Sequence, residues 1–551
     1  MERQVMSLGS NKIHEEVSER FVNPYNFIPL AEKCHRENSK RKDSSREEQN
    51  CYTGYFKCSM RLLTPLFIPN TSSSVRLLKV EEAQEGEENN KKYAGYDFFS
   101  YEDYSKAEPY TDEMPPPPSD PVIPGSEIRG AVRSVFEAAF NGCMSSVEGD
   151  RELSRRSAEI KKPDIPNKNK NQNKSKHVYR GPKCIGREIF KKKIESLLEN
   201  NGGYQSCSNE YLCPACQIFG MMGKSEKTET YAYGSKVRIT DATLIHPVKN
   251  SADLFERPVV LPEMGEPRPS TTEFYTESPY DPGETKNKQN YWTYDYKYVK
   301  EKEGAKKGKK RVYLDDTQPK IRGRKYYWHK DVEMNEFKNN KVSAMQQRIR
   351  PLKPSRKSDR NPTFQFRVYF EQLNKKQLEQ LKWSLDFGNP DCAHKIGRGK
   401  PLGFGSVQIS VESLCTREID EETGRWELLT VGDNDNNEVR YEEFFVESGF
   451  SSENIPEELK IMSNWKDRPS NVSYPLGQDE GNRDKVNAKA SHQWFRLNRM
   501  EKKQEDNSND ALGNNYNHNF SKVLPTVAED ADKGLDQKKA LYKLVKKKQS
   551  S

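Results

Sequence analysis

The chain has 551 residues, 33% hydrophobic and 32% charged, with a formal net charge of +8. Its mean hydropathy of −1.04 implies a modest core among long solvated loops, and no run of eighteen apolar residues is present to cross a membrane. The first twenty residues lack the apolar heart of a signal peptide, so the expectation is a cytoplasmic protein whose ten cysteines are reduced thiols or metal ligands.

Residues 1–50 read as a mostly extended N-terminal segment, with an apolar island from Phe21 to Leu30 in which Pro24 and Pro29 exclude a regular helix. Residues 51–140 open with a half-buried strand: Phe56, Cys58, Met60 and Leu62 alternate with Lys57, Ser59 and Arg61. Thr64-Pro65 ends it, and an acidic, tyrosine-rich loop follows. A helix then starts at Gly125-Ser126, with Ser126 as its expected N-cap. Ile128, Val132, Val135, Phe136 and Ala139 share one face, and Arg129 and Arg133 point together from another. A glycine before a helix start and two aligned arginines suit a phosphate chain; the plainer reading is a surface helix.

Residues 141–234 form a cysteine- and lysine-rich insertion. Residues 235–249 hold a second core strand, around Val237 and Ile239. Residues 250–360 form an aromatic and basic insertion, including Tyr291 to Tyr298, which reads as a hairpin, and Tyr326 to His329. Residues 361–415 give a strand with Phe364, Phe366, Val368 and Phe370 inward. A helix follows, capped by Asn374 with Gln377 three residues on, and then a glycine-rich loop and a strand from Val407 to Val411. Residues 416–502 are a C-terminal extension in which Phe444-Phe445-Val446 and Trp494-Phe495 could complete the core. Residues 503–551 read as a disordered basic tail with a short basic helix near Leu541 to Lys547. The basic runs 161–176, 300–311 and 543–548 read first as solvated segments and second as contacts for a polyanion.

The order strand, helix, strand, strand, helix, strand implies an α+β class, with a ferredoxin-like (RRM-like) βαββαβ core interrupted by large insertions. The loop Gly397-Arg398-Gly399-Lys400-Pro401-Leu402-Gly403-Phe404-Gly405 places four glycines and two cations directly before the last strand. It matches neither a dinucleotide fingerprint nor a P-loop. It reads as a backbone-phosphate contact or as a tight strand-entry turn.

Three motifs together resemble the CRISPR-associated RAMP superfamily: Ile123 to Gly130 with Arg133, the run Cys213-Pro214-Ala215-Cys216-Gln217-Ile218-Phe219-Gly220, and the loop Gly397 to Gly405. Asn23 to Phe27 and Ser270 to Tyr275 resemble one type III branch of it. The resemblance implies a modified RNA-recognition-motif fold. It also implies a subunit that binds guide RNA, helps pair it with target RNA and assembles with other type III effector subunits. The matching guide-contact positions are Gly125, Ser126, Arg129, Arg133, Gly397, Arg398, Gly399, Lys400, Gly403 and Gly405. For base stacking, the polar strand faces offer Tyr369, with Tyr55 at a strand end.

Cys207, Cys213 and Cys216 have the spacing C-x5-C-x2-C, the recognisable half of a structural zinc site. Cys184 is the expected fourth ligand, with His177 or Cys143 as substitutes. Catalysis is not expected. The residues that could carry RNA cleavage are Asp97, Asp103 and Asp112 in the loop after the first strand, and His394 beside the glycine loop. The alternatives are therefore an endoribonuclease acting on target or guide RNA, and a stand-alone zinc-containing RNA-binding protein.

Overall fold

The structure, a computed structural model, describes residues 5–8, 12–38, 51–70, 77–78, 95–102, 117–147 without 146, 193–224 without 209, 230–246, 250–262, 264, 275, 277, 299–301, 311–313, 320–337, 348–355, 363–419, 422–474, 524–532 and 541–546. Asp103, Asp112, Cys184, His177, Ser270 to Phe274, Tyr291 to Tyr298, Trp494-Phe495 and the lysine run 161–176 lie outside them.

Alternating apolar residues build the central sheet. Its core strands are β1 (Tyr52–Leu62), β2 (Val237–Ile239), β3 (Thr363–Leu373) and β4 (Ser406–Ile419), in the spatial order β2-β3-β1-β4 with every pair antiparallel. Two crossovers carry helices, α1 (Gly125–Ala139) between β1 and β2 and α2 (Lys375–Asp386) between β3 and β4. The register sets Met60 between Phe364 and Ile409, and Cys58 between Phe366 and Val411. These residues share a buried cluster with Ile128, Val132 and Phe136 of α1 and Leu378, Leu381 and Leu385 of α2. Both helices therefore cover one face of the sheet, and the polar residues of each strand stay on the other. Asn374 and Gln377 form the capping box that starts α2.

Ser126 does not cap α1. The helix begins at Gly125, and no side chain of the residue before it, Pro124, can accept an amide. A Cβ at Gly125 would stand 2.4 Å from the carbonyl oxygen of Ile239. Glycine thus lets α1 start against the backbone of β2.

A second cluster gathers Val22, Ile28, Trp328, Trp383, Phe387, Leu459 and Met462. It forms because the strand Tyr25–Ile28 pairs antiparallel with Arg324–Tyr327. The interleaved aromatics and cation there pack on one another: the Lys325 ammonium lies 3.9 Å from the Tyr25 ring centre and 5.2 Å from that of Tyr327. In the C-terminal extension β4 continues past residue 415 and pairs with β5 (Trp426–Val431). Phe444 and Phe445 are buried, whereas Val446 is exposed. The expected helix near Leu541 is a strand, Leu541–Lys546, paired with Lys12–Phe21; pairing with a distant segment overrides a local helical pattern.

Candidate nucleic-acid interface and cysteine cluster

The glycine loop folds back on its own chain. Gly397, Gly399, Gly403 and Gly405 all have φ between 71° and 100°, the left-handed region that side chains disfavour. A Cβ at Gly405 would lie 1.9 Å from the oxygen of Ile396, and one at Gly397 2.5 Å from the oxygen of Phe67. The amides of Arg398, Leu402, Gly403 and Gly405 donate to the carbonyls of Phe67, Gly399, Lys400 and Pro65 at 2.9 to 3.1 Å. The expected amide cradle is therefore occupied at these four positions by the protein, and the glycines serve close internal approach. What the loop presents outward is cationic side chains, with Arg398 exposed and Lys400 half-buried.

More cations surround the loop than its sequence shows. Lys395 donates to the carbonyls of Gly403 at 2.8 Å and Phe404 at 3.1 Å. Burial pushes its ammonium well below the usual lysine range, and Lys400, Lys330 and Arg468 push it further. Burial also lowers Lys400, opposed by Glu127 and reinforced by Arg398. Arg468 shares its charge with Asp331 at 2.5 Å. Five cationic side chains thus gather at this end of the sheet, with burial the chief reason Lys395 and Lys400 hold their protons less tightly. Glu127 belongs to the first turn of α1, so the loop and the helix start occupy the same end of the molecule.

The start of α1 already holds an anion of its own: Asp241 accepts the Gly125 amide at 2.7 Å. The two aligned arginines are likewise engaged inside the protein. Arg129 donates to the Phe219 carbonyl. Arg133 donates to Glu137 at 2.8 Å and to the Gly220 carbonyl at 3.0 Å, and approaches the Cys216 sulfur at 3.5 Å. Glu137, itself buried, also faces Arg324 at 3.5 Å. These contacts clamp α1 to the Cys213–Gly220 turn.

That turn carries the metal-type cluster. The sulfurs of Cys143, Cys207, Cys213 and Cys216 are all buried and lie within 4.8 Å of one another. Cys143 and Cys216 are 3.6 Å apart, close to the ~3.8 Å edge of a tetrahedron with zinc–sulfur bonds of about 2.3 Å. The fourth thiol is Cys143, one of the two substitutes foreseen, and the set is complete without Cys184. The hydrogen bonds exchanged within the cluster raise the Cys143 thiol and lower that of Cys207. Cys207 sulfur also accepts the Cys213 amide at 3.2 Å. Four sulfurs in this arrangement fit a closed structural zinc site, which leaves no open position for hydrolysis. Arg36, whose charge acts on Cys207, and Arg133 bring positive charge to a tetrathiolate. Neither arginine was assigned this role from sequence, because both neighbours are far away in the chain.

Two of the residues considered for cleavage are buried. Asp97 is 1% exposed and forms an ion pair with Arg350, with a second contact at 3.2 Å and the Phe98 amide at 2.8 Å. His394 donates from Nε2 to the Leu385 carbonyl at 2.8 Å and lies against Phe387, ring centres 4.6 Å apart. Burial lowers its pKa to about 4. Neither side chain reaches solvent where a substrate could meet it, so the acid–base role weighed for them has no support here. No described helix is long and apolar enough to cross a membrane.

A family model described as the RAMP superfamily matches residues 59–408, more than half of the chain. No curated protein matches it. Among solved structures, the crystal structure of Csc2 from Thermofilum pendens is similar at 10% identity, over 66% of this chain and 67% of that one, with a TM-score of 0.23.

Proposed function

The chain belongs to the RAMP superfamily, and from that premise we propose that it is a guide-RNA-binding backbone subunit of a type III CRISPR ribonucleoprotein. The observation that carries this reading is the outward pair of cations, exposed Arg398 and half-buried Lys400, on a loop whose four glycines take left-handed φ, with Lys330 and Arg468 near by. A phosphate strand lying there would meet positive charge on the outward side of the loop. Contacts to the backbone suit a subunit that must accept any guide, since base pairing carries the sequence. The guide-contact set narrows accordingly to the exposed side of the loop, with Ser126 at the neighbouring helix start, while Arg129 and Arg133 act through the turn they hold. The strand order β2-β3-β1-β4 with helices on one face supports reading the core as ferredoxin-like. The four-cysteine cluster is read as structural zinc. The type III assignment rests on the resemblance of Asn23 to Phe27 and Ser270 to Tyr275 to that branch.

Expression together with its neighbouring genes, followed by sequencing of co-purified RNA, tests the reading. Repeat-derived RNA ends and type III sister subunits are expected. Replacing Arg398 and Lys400 with alanine is expected to weaken RNA binding and to reduce the salt dependence by about one unit of slope per lost phosphate contact. Purification as an RNA-free monomer, or unchanged RNA affinity in the double variant, would overturn it. A cleavage assay with Asp103→Ala and Asp112→Ala checks the enzymatic alternative: loss of cutting with RNA binding intact would establish it.

A further inference from the structure

The open face of the sheet brings together residues that are far apart in the chain. Tyr55 of β1 and Tyr369 of β3 are direct cross-strand partners, ring centres 5.6 Å apart. Arg238 of β2 stands opposite Tyr369, its guanidinium 5.5 Å from the ring centre. Arg367 lies 5.0 Å from the Tyr55 ring centre and donates to the Tyr369 hydroxyl at 3.3 Å. Strand alternation puts Lys57 and Arg61 on the same side, and both are exposed, as are Arg238 and Arg367. Glu412 meets Lys57 at 3.1 Å; the other three cations make no ion pair with a carboxylate among the described residues.

We propose that this face is a stacking platform for single-stranded RNA, with bases on Tyr55 and Tyr369 and phosphates along Arg367, Lys57 and Arg61. Aromatic rings accept any base on their π-face, and flanking cations neutralise the backbone; together they bind single strands without reading sequence. An acidic protein surface would use the cations alone, whereas an RNA strand uses both the cations and the two adjacent rings. The path from Tyr55 to Arg61 spans about 20 Å. It ends where Arg61 pairs with Gln408, beside the strand entry that follows the glycine loop. The platform goes beyond the function proposed above and needs no contact by that loop.

The test measures binding of a labelled single-stranded oligouridine to the full chain at fixed salt, for the wild type, Tyr55→Ala/Tyr369→Ala and Tyr55→Phe/Tyr369→Phe. The alanine pair is expected to bind at least about tenfold more weakly, and the phenylalanine pair within about twofold of the wild type, because stacking needs the ring and not the hydroxyl. Photocrosslinks should map to 52–62 and 363–373. Thermal melting of each variant separates lost stacking from lost folding. If a folded alanine pair binds RNA as the wild type does, the platform is wrong while the glycine-loop reading stands. If that variant instead loses a co-purifying protein, the face is a protein interface and the proposal falls. Weaker binding by the alanine pair, with Arg398→Ala/Lys400→Ala unchanged, would uphold the platform and remove the loop.

Discussion

Arg133 Nη2 stands 3.5 Å from the sulfur of Cys216, so the signature arginine of α1 and the cysteine cluster form one unit. The same guanidinium holds Glu137 and the Gly220 carbonyl. Replacing Arg133 with methionine would leave Glu137 short of a partner and the tetrathiolate short of a compensating charge. Zinc affinity is expected to fall about 10- to 100-fold, read by competition with a chromophoric chelator. Treating the wild type with a chelator is expected to loosen the Cys213–Gly220 turn and lower the melting temperature, with added zinc restoring it.

Asp97 and Arg350 form a buried ion pair, and removing either charge leaves the other uncompensated in the core. Asp97→Asn is expected to destabilise the fold by about 3–5 kcal/mol, measured by urea denaturation. At temperatures where the variant is still folded, its RNA affinity should match the wild type, because the carboxylate touches nothing outside the protein.

His394 gives a pH dependence of definite sign. Its pKa in the folded protein is lowered to about 4 by burial, against about 6.5 in an unfolded chain. The unfolded state therefore binds the proton first. The stability contribution is complete above about pH 6.5 and is lost as pH falls through about 4, in total about 3 kcal/mol. His394→Gln keeps a donor for the Leu385 carbonyl and removes the titration. The difference in unfolding free energy between wild type and variant should shrink from pH 7 to pH 4. His329, lowered chiefly by burial and in smaller part by His394 itself, titrates differently in the two proteins, so the same comparison is made with His329→Gln in both backgrounds.

Gly405 and Gly424 separate close approach from backbone strain. Both have positive φ, 74° and 65°, but a Cβ at Gly405 meets the Ile396 oxygen at 1.9 Å and one at Gly424 meets nothing within 4 Å. Gly424→Ala should cost about 1 kcal/mol, for strain alone. Gly405→Ala should cost several-fold more and displace the loop, weakening RNA binding with it. Equal losses in the two variants would show that the loop yields freely at Gly405.

Much of the core was legible in the chain. The alternation of Phe56, Cys58, Met60 and Leu62, that of Phe364 to Phe370, and the Asn374–Gln377 capping box are local patterns, and each forms the element its pattern implies. The glycine loop was located correctly, but the partner of its close approaches was not. From sequence, a ligand and the carbonyls of Phe67, Ile396 and Lys330 are equivalent reasons for glycine. The internal partners of Arg129 and Arg133 were illegible for the same reason: four-residue spacing fixes their common direction and says nothing about what lies there. No local signal could have found Lys330 or Arg468 beside Lys395, since they come from segments 65 and 73 residues away in the chain.

By itself the sequence determined the core strands and helices, which face of each is apolar, and that Cys207, Cys213 and Cys216 stand at metal-ligand spacing. These follow from periods of two and 3.6 residues and from short spacings, which need no long-range information. Only the tertiary structure decided that Cys143 completes the cluster, that Asp97 and His394 are core groups, and that Tyr55 meets Tyr369. Those pairings depend on register and loop closure across hundreds of residues, where the free energy of the packed whole selects partners that no local pattern encodes.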